Sequence, residues 1–260
     1  MLKDQDIELE LLLEAIYHRY RHDFRGYALA SLKRRLRSAM GQFGCQTLSQ
    51  LQDKLLHDPA VFPVLLDFLT VQVSDLFRDP SYFRSLREQV VPLLRTYPSL
   101  RIWVAGCSTG EEAYSIAILA REEGILDRTQ IYATDISARA LHAAEAGVYP
   151  IDRIALFSEN HHRSGGRSSL SDYYTAAFGR AVFDKALKSH IVFADHSLAT
   201  DSVFAEVQLV SCRNVLIYFN RRLQDRAVGL FHESLRFGAH AGDFVELMQG
   251  ERIYQKRGDP

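Results

Sequence analysis

From Pro98 onward the chain alternates apolar, β-rich runs with stretches of helical period. The runs are RIWVAG at 101–106, QIYATD at 130–135, HIVFADHSL at 190–198 and VQLVS at 207–211, and the helical stretches include EEAYSIAILAREE, ARALHAAEAG and a segment near 221–236. Such alternation implies parallel strands joined by crossover helices. The polar stretch SENHHRSGGRSS at 158–169 interrupts it and predicts a surface excursion or insert, and a last strand pair is expected around DFVELM and RIYQK. Residues 1 to about 90 differ: the period is helical, strand-like alternation is absent, and breaks fall at Gly26, at Gly41 and Gly44, and at Asp58-Pro59. That part predicts a bundle of short helices.

Composition bounds the function. Of 260 residues 47% are apolar and 24% charged, so the chain buries a sizeable core without staples. A formal net charge of -1 argues against coating nucleic acid, which needs a large basic surplus. Three widely spaced cysteines, Cys45, Cys107 and Cys212, contain no C-x-x-C pair and suit a reducing cytosol. The acidic start MLKDQDIELE is unlike a signal peptide, and no apolar run nears the roughly 20 residues that span a bilayer. The expected setting is cytoplasmic, with no membrane insertion. The pair His161-His162 lacks metal-ligand spacing, so no metal site is expected.

Chemistry concentrates at strand ends. Arg101 to Glu112 reads as a buried strand, a tight turn of small residues and a helix start, where a doubly wound sheet binds nucleotide-like ligands. A pyrophosphate loop would offer G-x-G-x-x-G and a positive helix end; this turn puts Glu111 and Glu112 there instead. The acids disfavour a dinucleotide and favour a phosphate-free cofactor bearing ammonium and sulfonium cations, of which S-adenosylmethionine is the common example. Thr109-x-x-Glu112 also matches a capping box, so Glu112 has a purely local explanation, whereas Glu111 is the better ligand candidate. Asp135, at the tip of the second strand, is placed to accept hydrogen bonds from ribose hydroxyls, or else caps the helix starting near Ala138. Asn214, in SCRNVLIYF, offers donor and acceptor at a third strand end, or serves as a turn residue. Arg213 beside it reads equally as an ion-pair residue. Cys107 and Cys212 fall at the ends of strands that are candidates for neighbours and read as small buried fillers.

Together WVAGCSTGEEAYSIA, YATDIS and SCRNVLIYF closely resemble the chemotaxis-receptor glutamate methyltransferase (CheR-type) family, over nearly the whole chain to about residue 253. The resemblance implies an α/β fold: a Rossmann-like S-adenosylmethionine-dependent methyltransferase sheet at 91–260, an N-terminal all-helical domain with linker at 1–90, and a small β-subdomain inserted near 150–190. It implies S-adenosylmethionine as cofactor, S-adenosylhomocysteine as product, and methylation of glutamate side chains on methyl-accepting chemoreceptor-like proteins. By the same resemblance Glu111, Asp135, Asn214 and Val215 bind the cofactor, and the linker motif lies over Thr70 to Arg78. There Arg78 matches while Gln72 and Ser74 replace Asn and Thr. The pair after the third strand is Ser197-Leu198 instead of Asn-Leu, and Met248-Gln249-Gly250-Glu251 keeps only the acid of its family motif.

The implied reaction needs no general base, because a receptor glutamate, with a reference pKa of about 4.3, is already ionised. Arg78 is then the charged group expected at the reacting centre, either steering the substrate carboxylate or gripping cofactor and product, with a linker-to-domain ion pair as its plainer role. In the helix around residues 27–43, Leu29, Leu32, Leu36, Met40 and Phe43 form one apolar stripe. Lys33, Arg34 and Arg37 share one flank and Arg35 takes the other. That flank is a candidate contact for an acidic helical receptor segment, a solvated cationic face being the alternative. Tyr173, Tyr174 and Phe178 are expected to support the insert's core; in some members of the family that the chain resembles, that subdomain binds a receptor tail peptide at a sheet edge, for which SENHHRSGGRSS gives no decisive sign either way. Rival functions are a non-catalytic module binding the same cofactor, a methyltransferase for another acceptor, and an NAD oxidoreductase.

Overall fold

The computed structural model describes residues 4–235, 244–248 and 253–256, and the chain forms two compact units. One comprises Met1–Gln72, Ser197–Ser202 and Asn214–Val228; the other comprises Val73–His196, Val203–Arg213 and Gly229–Pro260.

The first unit is built on α1 (Asp4–Tyr20), α2 (Leu29–Phe43), α3 (Leu48–His57) and α4 (Val61–Leu69). Gly44, at φ 64°, closes α2 because its backbone N–H must turn back onto Gly41, and Thr47 caps α3 through Gln50 N. Leu9, Leu12, Leu13 and Ile16 of α1 bury against this helical core with Leu32, Leu36, Leu51, Leu55 and Leu65. The stripe expected on α2 is shifted: Leu29 is exposed, while Ala39 and Arg35 are buried. Arg35 leaves the basic surface because its guanidinium donates to the carbonyls of Leu69 and Ser31 and lies over the Tyr218 ring. The segment before α11 (Arg221–Ser234) belongs to this unit and pairs with residues 26–28 through Ala28 N to Tyr218 O and Asn220 N to Gly26 O, both 2.8 Å.

The second unit opens with α5 (Pro80–Ser85), a π-helical turn at Leu86–Val90 and α6 (Val91–Leu94). There follow β1 (Leu100–Ala105), α7 (Glu111–Glu122), β2 (Thr129–Asp135) and α8 (Ala138–Ala146). The insert carries β3 (Val148–Pro150), α9 (Ile154–Arg163), β4 (Tyr174–Ala177), β5 (Arg180–Phe183) and α10 (Lys185–Lys188). The main sheet is completed by β6 (Ile191–Asp195) and β7 (Leu209–Ser211), and the expected last pair forms as an antiparallel ribbon of β8 (Phe244–Met248) and β9 (Ile253–Lys256). All pairings in the main sheet are parallel, in the order β6-β2-β1-β7, with Leu100 opposite Thr129 and Asp135 opposite Asp195. β1 and β7 are therefore neighbours, as the placement of Cys107 and Cys212 suggested, and all three cysteines are free.

Burial of β1 at every position but Arg101 explains its continuous apolar run, since a parallel strand is covered on both faces. Trp103 is fully buried and edge-on to His196, Phe204 and Phe231, with its indole N–H on Thr134 Oγ1 at 2.9 Å. In the insert a three-stranded antiparallel sheet of order β3-β5-β4 forms, as expected for a β-subdomain. Residues 158–163 of the polar stretch are the end of α9, within the insert, and buried His161 is held by Glu122 at 2.9 Å. One expectation there needs correction. Phe178 sits fully exposed at a hairpin tip with φ 49°, so Tyr173 and Phe183 supply the small core instead.

Candidate functional site

The turn from β1 to α7 uses left-handed backbone at Gly106 (φ 75°), Ser108 (φ 50°) and Gly110 (φ 93°). Gly110 N bonds Cys107 O and Gly110 O receives Tyr114 N, so the chain reverses and enters the helix within a few residues. Glycine is required at 110: a β-carbon would lie 2.8 Å from the Ala144 β-carbon of α8.

Around this turn the second unit gathers three carboxylates. Glu111 is wholly buried; its Oε2 accepts from Thr109 Oγ1 at 2.7 Å and its Oε1 from Arg153 at 2.8 Å. Burial pushes its carboxyl above the ordinary range, against the opposing pull of the Thr109 hydroxyl and Arg153. Asp135 accepts the backbone N–H of Ser108 on Oδ2 (2.8 Å) and of Ser137 on Oδ1 (3.0 Å). It does not cap α8; Ser137 does, accepting from Ala140 N. Glu112 also departs from expectation. No side chain caps α7, and Glu112 instead accepts from Ser211 Oγ at 2.6 Å, with Tyr82 OH 3.0 Å beyond that hydroxyl. The capping box fails because the N-cap is Gly110, one residue later than the pattern requires. Burial raises the Glu112 carboxyl, and the charges of Arg213 and Arg78 oppose the rise.

Arg78 is half-buried, donates to Val73 O at 3.2 Å, and is near enough to Glu112 for its charge to act there. Arg213 fixes this stretch from β7: it donates to Arg78 O at 2.8 Å, pairs with Asp79 at 2.6 Å and lies 4.0 Å from the Tyr82 ring centroid. Ser74 offers its carbonyl to Arg153. Within the second unit Arg153 links the Ser74 carbonyl to Glu111, the charge of Arg78 reaches Glu112, and Asp135 holds the turn through Ser108 N.

The remaining predicted residues belong to the first unit. Gln72 Nε2 donates to Thr70 Oγ1 at 3.1 Å. Ser197 holds a turn, its N–H on Asp201 Oδ2 and its hydroxyl accepting from Ala199 N, and Leu198 is buried. Asn214 is exposed with φ 58°, the turn geometry that Asn tolerates, and Val215 O receives Tyr218 N. On α2, Arg34 and Arg37 are exposed, whereas Lys33 is paired with Asp6 of α1. The Gln249-Gly250-Glu251 match lies outside the described residues.

Sequence reasoning missed Arg153, Ser211, Tyr82 and Tyr149, whose phenol donates to Thr109 O at 2.7 Å. No local pattern marks them, since their partners lie 40 to 129 residues away.

The donor set is acceptor-rich and anionic. Glu111 and Asp135 keep lone pairs for an ammonium and for hydroxyls, and they repel phosphoryl groups. Those residues fit S-adenosylmethionine. A parallel sheet with acids at its first two strand ends defines the Rossmann-like methyltransferase class. The comparisons narrow it: CheR methyltransferase, SAM binding domain, matches residues 72–242, and CheR methyltransferase, all-alpha domain, matches residues 7–70. The chain belongs to the CheR methyltransferase family, and its cofactor is S-adenosylmethionine. It is 53% identical to Cher3 of Pseudomonas putida over 98% of each chain. A chemotaxis protein methyltransferase of Listeria monocytogenes is 31% identical over 83% of this chain and 80% of its own. Chemotaxis protein methyltransferase 2 of Pseudomonas aeruginosa is 32% identical over 76% and 74%. Among the described residues no helix is long and apolar enough to cross a membrane.

Proposed function

We propose that this chain is a cytoplasmic protein-glutamate O-methyltransferase acting on chemoreceptor-like proteins. The observation that carries the reading is the pair of buried acids, Glu111 and Asp135, flanking a phosphate-hostile turn in a chain of this family. In this reading Glu111 receives the cofactor's ammonium and Asp135 its ribose hydroxyls. Gln72, Ser74, Ser197, Leu198, Asn214 and Val215 complete cofactor recognition, and Arg78 steers the anionic receptor glutamate. When bound, the cofactor supplies a methyl carbon activated by sulfonium.

The receptor carboxylate needs no proton removed, so the protein contributes position and exclusion of water. The network of Arg213, Asp79, Tyr82, Ser211 and Glu112 serves that purpose by fixing the backbone of Arg78. Of the expected flank of Lys33, Arg34 and Arg37, the exposed Arg34 and Arg37 are the proposed contact for an acidic receptor helix, Lys33 being paired with Asp6, and the edges of the inserted sheet are candidates for a receptor tail peptide.

Incubating the protein with methyl-labelled cofactor and receptor fragments should yield base-labile methyl ester on the receptor. Label that resists mild base, or binding without transfer, overturns the reading. Glu111→Gln should weaken S-adenosylhomocysteine binding by roughly tenfold to a hundredfold, the loss of a charge-assisted hydrogen bond of about 1.5–3 kcal/mol.

A further inference from the structure

The Glu111 carboxylate meets a cation supplied by the inserted subdomain. Arg153 places one guanidinium nitrogen 2.8 Å from Glu111 Oε1. Its other terminal nitrogen binds Asp75 Oδ1 at 3.0 Å and the carbonyl of Ser74. The guanidinium lies 4.7 Å from the Phe157 ring centroid of α9, which fixes its plane. From the opposite side Thr109 Oγ1 holds Glu111 Oε2 at 2.7 Å. Each carboxylate oxygen is thereby gripped once and retains lone-pair capacity for a further donor.

We propose that Arg153 is a positioning residue that orients the Glu111 carboxylate for the cofactor's ammonium while tying that acid to the Ser74-Asp75 linker. The proposal rests on the reading of Glu111 as the ammonium ligand.

The charge balance around Glu111 supports it. Facing the acid are the Tyr149 phenol of β3, the Cys107 thiol of the turn, Glu112 on the same helix, and Arg153, with Asp75 on the far side of Arg153. The phenol and thiol are both pushed up by burial and stay neutral near pH 7, and Glu112 and Asp75 are acids. Arg153 is the cation that pairs with it, and burial drives the carboxyl towards its protonated form. A protonated Glu111 is a poor partner for an ammonium. Arginine suits the place better than lysine, because one planar fork reaches Glu111, Asp75 and the Ser74 carbonyl together.

Titration calorimetry of the full chain with S-adenosylhomocysteine, repeated between about pH 5.5 and 7.5, tests this. In Arg153→Met, the pH at which binding weakens should move up by about one unit, so that the loss of affinity relative to the parent chain is small at the alkaline end and grows towards about tenfold as pH falls. Arg153→Lys should restore most of the affinity and move the profile back, and it carries the test where the Met variant does not fold. Glu111→Gln should bind weakly with no such pH dependence. A loss in Arg153→Met that is the same at every pH, or no loss, overturns the positioning role while leaving the Glu111 reading intact. Wild-type binding by Glu111→Gln overturns that reading itself.

Discussion

Glu122 illustrates how one buried carboxylate is kept ionised. Its Oε1 accepts from His161 Nε2 and Ser168 Oγ, each at 2.9 Å, and from Tyr173 OH at 3.2 Å, while Oε2 meets Arg87 at 2.5 Å. Burial alone would raise its pKa, but the His161 hydrogen bond and the Arg87 charge outweigh it and draw the carboxyl down to about 2. A folded-state pKa below the unfolded one stabilises the fold above the unfolded value and loses that contribution as pH falls through the folded value. Glu122 should therefore contribute on the order of 3 kcal/mol at neutral pH, fading from about pH 4.5 down to about pH 2. Urea midpoints of Glu122→Gln and the parent chain, compared at several pH values, should differ most near neutrality and converge in acid. A gap that stays constant down to pH 3 would refute the assignment. Arg87, which bridges Glu122 and Glu123 from a side chain only 6% exposed, makes the converse point. Removing it should cost more than any surface arginine, because two acids lose their buried partner.

At the level of elements, the entry into α7 decides whether Glu111 and Asp135 can flank one turn. Gly110→Ala puts an L-residue at φ 93° and a β-carbon against Ala144, so α7 or α8 must shift. We expect a destabilisation of about 2–3 kcal/mol with a matching loss of cofactor affinity. Gly124, at φ 68° with open space around its β-carbon position, is the control: Gly124→Ala should cost about 1 kcal/mol and leave calorimetric binding of S-adenosylhomocysteine unchanged. Equal effects of the two substitutions on binding would mean that the packing of Gly110 plays no part in the site. The same turn shows what the residues disclosed in advance. The inserted sheet, whose strands are largely exposed, was expected only from the family resemblance, whereas apolar runs and their spacing revealed β1, β2 and the α7 stretch, because burial on both strand faces leaves its mark locally. The acids at the strand ends were legible for the same reason. Arg153 and Ser211 were not, since each acts on α7 from 42 and 99 residues away and only the fold brings them together. The Thr109-to-Glu112 spacing misled, because a capping box presumes that Thr109 is the N-cap, and the glycine after it took that role.

Across the whole molecule, charge is nearly balanced at -1, so attraction of an acidic partner depends on local surplus. The basic run on α2 supplies less of it than its sequence suggests. Arg35 is buried on Leu69 O, and Lys33 is paired with Asp6. Arg34 and Arg37 remain the exposed cations of that run. Long-range steering should accordingly follow those two. Arg34→Glu with Arg37→Glu should lower kcat/KM for a receptor fragment by roughly tenfold at low ionic strength, through slower encounter. The deficit should shrink as salt shortens the Debye length from about 30 Å at 0.01 M to about 8 Å at 0.15 M. Affinity for S-adenosylhomocysteine should not change. Lys33→Ala should leave kcat/KM within about twofold, since the charge it removes is already met by Asp6. Methyl-transfer rates measured across a salt series decide the matter: if Lys33→Ala is as slow as the double reversal, or if the deficit is insensitive to salt, the exposed pair is not the docking contact.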